Sequence, residues 1–536
     1  MDTAIKKKVG QLMVFGFYGK EVTQEIKTLI RDYHLGSIIL FGRNIGTPEE
    51  VLKLTIELQK EAKEAGHKHP LLICTDQENG AVRRLGDGTT VFPGAMLLGA
   101  TNNPENAYKI GNATGKELKA LGINWNLSPV LDVNNNPKNP VIGVRSFGET
   151  PENVSEFGQE LMKGMQRSGV MTTLKHFPGH GDTNIDSHLD LPIIDHDLER
   201  LQNVELKPFK DCISNGADAV MTAHVYFPAI ESRKGVPATL SDKVITGLLR
   251  DDLHFDGVVT TDCMEMNAIS ETIGTPKGAV EAIKAGADLI MVSHSYEPQI
   301  NSLEAVIRAV ETGEIPLEQI NSAHNRVEKL KEKYLDWNDL QLDKYIKVPE
   351  LVGCKEHHEM ATEIYRQGVT IVKNEESILP IEGDVNHRVL LVYPENTSTM
   401  AVEDKRYSTF SLGECIKEIH QSAIVVQLSN PPTKEEMEVV SQQAKAFDTV
   451  IVATLSAQAG SSQTKLVEKI YEANNRVIVV ATRSPYDLAY LPNVPGYICT
   501  YEFTTPALKM AASAIYGRET VEGRLPVSIP QNISQI

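Results

Sequence analysis

Val170-Met171-Thr172-Thr173-Leu174-Lys175-His176-Phe177-Pro178-Gly179-His180-Gly181-Asp182-Thr183 decides how this chain folds. The first five residues, apolar or β-branched, read as a buried strand. Pro178, Gly179 and Gly181 then impose a loop. A lysine and two histidines follow the strand directly, and Asp182, Asp186 and His188 come within the same loop. A buried strand running into a polar loop dense in titratable groups is how α/β proteins place chemistry at the carboxyl ends of their strands.

The pattern recurs on both sides. Short apolar runs at 12–17, 37–41, 71–75, 123–128, 170–174, 219–223, 257–261 and 289–292 alternate with helical segments. Each is nearly continuous in apolar residues, as expected of parallel strands buried on both faces. Two helix-to-strand turns, Gly216-Ala217-Asp218 and Gly286-Ala287-Asp288, are almost the same, with glycine where a helix ends in the left-handed conformation. Eight such units in roughly 330 residues predict a (β/α)8 TIM-type barrel over residues 1–335, with a doubly wound eight-stranded sheet as the alternative. Ionisable residues fall just after the predicted strands again and again: Asp76, then Asp132 and Arg145, then Lys175 and His176, then His224, Asp262 and His294. A barrel brings all of them to one rim.

Residues 336–360 read as a linker, and 361–536 as a C-terminal three-layer αβα sandwich domain with strands at 369–372, 388–393, 423–428, 449–454, 476–481 and 497–500. Thr505, Pro506 and Gly517 punctuate a helix over 507–516. No Gly-x-Gly-x-x-Gly or P-loop opens this region, so nucleotide binding has no support.

Composition excludes several partners. The 536 residues carry 53 Lys+Arg against 71 Asp+Glu, a net charge of −18. Nucleic acid and anionic membrane both require a basic face. No apolar run is long enough to span a bilayer, and no signal-peptide core follows Met1. Six cysteines lie scattered without Cys-x-x-Cys spacing, so neither a disulfide framework nor a zinc knuckle is expected. The predicted location is cytoplasmic.

Asp262, at a strand end among apolar neighbours, suits a nucleophile, a base or a metal ligand. Asp186 and His188 are close enough to hydrogen-bond, which orients an imidazole and raises its basicity; a loop-stabilising contact is the plainer alternative. A zinc site from His176, His180, Asp182 and His188 is the rival reading. Pro178 and Gly179 break the helix that paired histidines would need, and Lys175 repels a cation. Neither metal nor cofactor is expected.

The unbroken Lys-His-Phe-Pro-Gly-His-Gly-x-x-x-x-Asp-Ser-His run from Lys175 to His188 resembles glycoside hydrolase family 3, specifically its NagZ-type β-N-acetylglucosaminidases. Supporting matches are Asp76-Gln77-Glu78 with Arg84, the run from Pro140 to Gly148, Thr261-Asp262 and the closing Gly523-Arg524-Leu525-Pro526. Asn79 stands where the family usually has glycine. The resemblance implies a retaining exo-β-N-acetylglucosaminidase that removes non-reducing terminal β-linked GlcNAc from chitooligosaccharides or cell-wall muropeptides. It implies Asp262 as nucleophile, His188 as general acid/base and Asp186 as its partner. It assigns Asp76, Arg84, Arg145, Lys175 and His176 to the hydroxyl and acetamido groups of the sugar, with His224 as a further lining residue. The implied partner is a small carbohydrate. The alternatives are a phosphorylase releasing GlcNAc-1-phosphate and a non-catalytic sugar-binding protein. For the second domain the expectation is a structural or substrate-gating role.

Overall fold

The computed structural model describes residues 3–342, 347–381, 386–395, 402–403 and 411–530. Eight parallel strands, β1 (Met13–Phe15), β2 (Ser37–Leu40), β3 (Leu72–Thr75), β4 (Trp125–Asn126), β5 (Met171–Phe177), β6 (Ala219–Thr222), β7 (Val258–Thr261) and β8 (Ile290–Val292), pair in the order β7-β6-β5-β4-β3-β2-β1-β8. Thr260 bridges Leu289, and Thr261 N donates to Leu289 O at 3.0 Å, which closes the ring and excludes the doubly wound sheet. Every residue of these strands is buried, as the apolar runs required.

Both Gly-Ala-Asp turns do the same work. Gly216 and Gly286 take φ of +88° and +117°, and the aspartate that follows is a buried clamp. Asp218 accepts from Thr172 N, Tyr334 Oη and Lys333 Nζ; Asp288 accepts from Val259 N and pairs with Arg250 and Arg326. The last barrel helix, Leu317–Tyr334, is thereby fastened to the strands. One expectation needs correcting: β5 does not stop at Leu174. Its pairing with β6 shifts register between Leu174 and Phe177, so Lys175 and His176 are the closing residues of the strand rather than the first of the loop.

The second sheet comprises β9 (Thr370–Asn374), β10 (Val389–Pro394), β11 (Ile424–Leu428), β12 (Thr449–Thr454), β13 (Val477–Ala481) and β14 (Gly496–Cys499) in the order β11-β10-β12-β13-β14-β9. All pair in parallel except β9, which runs antiparallel to β14. Helices Ser411–Ile419 and Thr505–Ile515 pack as one layer, Lys434–Ala444 and Ser462–Ala473 as the other. The helix predicted from 507 begins at Thr505 with Thr504 as N-cap residue. The Thr504 hydroxyl does not cap it, because it donates to Glu502 instead.

The two domains are stitched together at several points. Trp337 Nε1 donates to the carbonyls of His67 and Lys68, holding the connection against the barrel. Helix Lys355–Gly368 packs on Ala95–Ala100, with His357 Nδ1 2.7 Å from Glu117 Oε1. Near its end the chain returns to the barrel. Arg524 N donates to Ala100 O, Glu149 N to Pro526 O, and Ser528 to the Glu149 carboxylate. Among the described residues no helix is long and apolar enough to cross a membrane.

Candidate active site

The loop after β3 begins the site. Gln77 Oε1 accepts from Arg84 N and Leu85 N at 2.8 and 3.0 Å, folding the segment back on itself. Asn79 and Gly80 take φ of +69° and +59°. Asparagine tolerates this left-handed conformation better than other residues with a side chain. Its amide also bridges Gln77 to Thr114, so the departure from glycine is accommodated.

Four ionisable side chains interlock over the barrel mouth. Lys175 Nζ lies 2.8 Å from Asp76 Oδ1 and 2.6 Å from Glu78 Oε1. Arg145 grips Glu78 through Nε and Nη2, both at 2.8 Å. Burial alone would raise the Glu78 carboxyl, but the charges of Arg145 and Lys175 outweigh it and hold it far below the carboxylate range. Burial likewise works to lower Lys175, and Asp76 and Glu78 overcome it. Glu78 and Lys175 thus both stay charged although they are buried. Arg84 stands 3.7 Å from Asp76 Oδ2, and its Nη1 donates to Val402 O of the second domain.

Behind this layer lies Asp132, fully buried. It accepts from the main-chain N of His176 and His180, and its Oδ2 is 2.7 Å from His176 Nδ1. His176 is thereby turned so that Nε2 faces Arg145 at 3.5 Å. His224, expected on the rim, sits one step back: its ring lies 2.8 Å from Thr239 Oγ1 and 3.0 Å from Cys263 O, supporting the chain beside Asp262. Asn139 joins two loops. Its Nδ2 donates to His180 O, Gly181 O and Thr183 Oγ1, while its Oδ1 accepts from Val141 N and Ile142 N. One amide therefore ties the segment leading to Arg145 to the segment leading to His188.

Asp186 Oδ1 is 2.6 Å from His188 Nδ1 and also accepts from His188 N. Burial tends to lower the His188 imidazole, and Asp186, helped by the charge of Asp262, raises it above its ordinary value. The Asp262 carboxyl, which burial would raise, is held below its ordinary value by His224, His176 and His188. Its Oδ1 accepts from Cys263 N at 2.6 Å. The four residues of the rival zinc reading do not converge. His176 turns to Asp132, His188 to Asp186, His180 to Thr183 and Ser187, and Asp182 to His196.

A cavity of about 490 Å³ opens among these groups. Asp76, Arg84, Arg145, Lys175, His176, His188 and Asp262 all line it, over an apolar floor that includes Ile39, Leu127 and Met291. Sugar-sized ligands take pockets of this size. Glu78, Arg43, His294 and the second-domain pair Val402 and Glu403 also line it, although sequence spacing singled out none of the last two. Glu78, Arg43 and His294 carried a signal, as polar residues just beyond strand ends.

The family model described as the glycosyl hydrolase family 3 N terminal domain matches residues 4–330, and that of the family's C-terminal domain matches 369–536. The chain belongs to glycosyl hydrolase family 3. A beta-hexosaminidase A of Pseudoalteromonas piscicida is 31% identical over 94% of this chain and 91% of its own length. A beta-hexosaminidase of Idiomarina loihiensis is 34% identical over 56% of this chain and 89% of its own. Among solved structures, a glycoside hydrolase family 3 beta-N-acetylglucosaminidase from Paenibacillus sp. str. FPU-7 superposes with a TM-score of 0.91 at 42% identity, covering 98% of this chain and 99% of that one.

Proposed function

We propose that this chain is a retaining exo-β-N-acetylglucosaminidase acting on chitooligosaccharides or muropeptides. The observation that carries the reading is the Asp186–His188 pair at 2.6 Å on a loop beside the same cavity that Asp262 lines. Retaining glycosidases need a nucleophile and a separate acid that becomes a base. Asp262, ionised and tethered through Oδ1, offers Oδ2 to the anomeric carbon. His188, with Nδ1 engaged by Asp186, presents Nε2–H to the glycosidic oxygen, which leaves as an alcohol when that proton is transferred. In the second step neutral Nε2 takes a proton from water, whose oxygen bonds to the anomeric carbon as the Asp262 ester breaks. An imidazole raised by Asp186 carries the proton near neutral pH and still releases it, which suits both steps.

Asp76, Arg84, Arg145, Lys175 and His176 bind the sugar in this reading. Their interlocked charges are set before substrate arrives, so little reorganisation is needed on binding. The test is release of p-nitrophenol from the β-GlcNAc and β-glucoside derivatives, with and without phosphate. GlcNAc-selective turnover independent of phosphate supports the hydrolase. Turnover that rises with phosphate supports a phosphorylase. Saturable binding without turnover supports a sugar-binding protein. Asp262→Ala is expected to lower kcat by at least ~10⁴-fold.

A further inference from the structure

The loop of residues 76–94 carries Asp76, Glu78 and Arg84; the barrel holds it at Thr90, whose N and Oγ1 donate to Glu117 at 3.0 and 2.6 Å, and the second domain holds its last residue. Its start is anchored in β3, and Gln77 pairs with Asn126 of β4. At its far end Gly94 N donates at 2.7 Å to Glu502 Oε2, a side chain 408 residues away in the second domain. Glu502 is 1% exposed. Its other oxygen accepts from Tyr365 Oη at 2.8 Å and from Thr504 Oγ1 at 2.6 Å, so the carboxylate is fixed from behind by second-domain donors while it reaches forward to the loop. Tyr365, wholly buried, also approaches the loop carbonyl of Val91 at 3.4 Å.

Loop and carboxylate fit closely. A Cβ on Gly80 would stand 2.7 Å from Gly94 Cα and 2.8 Å from Glu502 Oε2. Gly80 N donates to Phe92 O, which closes the loop into a ring at the point where Glu502 touches it. The ring in turn contains Arg84, whose main chain is held by Gln77 and whose guanidinium faces Asp76. Gly94 is therefore connected to the sugar-facing cation through a hydrogen-bonded segment.

We infer that Glu502 is a positioning residue of the sugar pocket: the second domain uses it to set the loop that presents Asp76 and Arg84 to the substrate. This builds on the proposed glycosidase reading and gives the second domain a role in binding the sugar rather than in the chemical steps. Asp262, Asp186 and His188 lie on other loops, so the effect belongs in KM and in ligand affinity, not in kcat.

The experiment compares full-length wild type with Glu502→Ala, Glu502→Gln, Tyr365→Phe and Thr504→Val. For each, KM and kcat are measured on p-nitrophenyl β-GlcNAc, GlcNAc affinity by calorimetry, and folding by circular dichroism. Glu502→Ala is expected to raise KM and the GlcNAc dissociation constant by about tenfold, the size of one lost charge-assisted hydrogen bond, with kcat within about threefold. Glu502→Gln keeps an acceptor for one side and is expected to recover part of the loss. Tyr365→Phe and Thr504→Val each remove one support and are expected to raise KM about threefold, and they carry the test if Glu502→Ala does not fold. A folded Glu502→Ala with wild-type KM and GlcNAc affinity overturns the inference, as does a change confined to kcat or to melting temperature. If wild type turns over no substrate, the glycosidase reading fails by itself, and the calorimetric comparison still decides whether Glu502 sets the pocket.

Discussion

Replacing Glu78 by glutamine tests the buried charge network directly. The substitution preserves shape and removes one negative charge from between two cations. Lys175 keeps Asp76 at 2.8 Å, so it retains a counter-charge. Arg145 loses its carboxylate partner: a glutamine Oε1 can accept only one of the two 2.8 Å bonds, and Val141 O at 2.9 Å is a neutral acceptor. Side chains of this pair are only 4% and 6% exposed, so solvent cannot take over the lost partner. Removing one member of such a pair costs about 3–5 kcal/mol, because the other charge stays buried and uncompensated. Glu78→Gln is therefore expected to lower unfolding stability by ~3 kcal/mol or more, and Glu78→Gln/Arg145→Met to regain about 2 kcal/mol of it. Urea unfolding followed by tryptophan fluorescence is the assay: the chain's two tryptophans are Trp125, in β4, and Trp337, bonded to the barrel's His67 and Lys68 carbonyls. A single variant within 1 kcal/mol of wild type, or a double variant whose loss is the plain sum of the singles, refutes the reasoning.

Three further outcomes are expected. Asp186→Asn removes the group that raises the His188 imidazole, so the alkaline limb of kcat/KM moves to lower pH, while an unmoved limb would separate Asp186 from the acid. His180 is buried and lowered to about 4. The unfolded chain binds the extra proton first, so its contribution is complete above about pH 6.5 and is lost as pH falls towards 4, a change of about 3 kcal/mol. Urea midpoints measured between pH 7 and 4.5 check this, and His180→Gln should flatten the slope. Asn139→Ala cuts the tie between the Arg145 and His188 segments and is expected to lower kcat by about 10²-fold with melting temperature little changed. Steady-state kinetics on p-nitrophenyl β-GlcNAc and a thermal melt decide it.

Local pattern was enough for the barrel. Each strand is a short apolar run because both its faces are buried, and the paired Gly-Ala-Asp turns mark helix ends that the structure uses in the same way. The rim residues were legible for a related reason: a polar side chain directly after a buried run points towards the one open end. Lys175 and His176 were placed one element too late, since a register shift that prolongs β5 leaves no trace in composition. Asn139 looked like an ordinary loop residue, and its role depends on its meeting a loop 41 and 42 residues further along the chain. Glu502 and Val402 were out of reach altogether. Their partners Gly94 and Arg84 are brought near only by the docking of one domain on another, which no local pattern encodes.

The return of residues 524–528 to Ala100 and Glu149 has a consequence for the order of events during synthesis. A ribosome releases the whole barrel sequence long before it makes Glu502 or the closing strap. Domains fold as units as they emerge, so the barrel can close its ring of strands while Gly94, the last residue of the 76–94 loop, still waits for its second-domain acceptor. Nascent chains halted at 335 and at full length, compared by protease cleavage within 76–94, would show that loop better protected once the last residues have arrived.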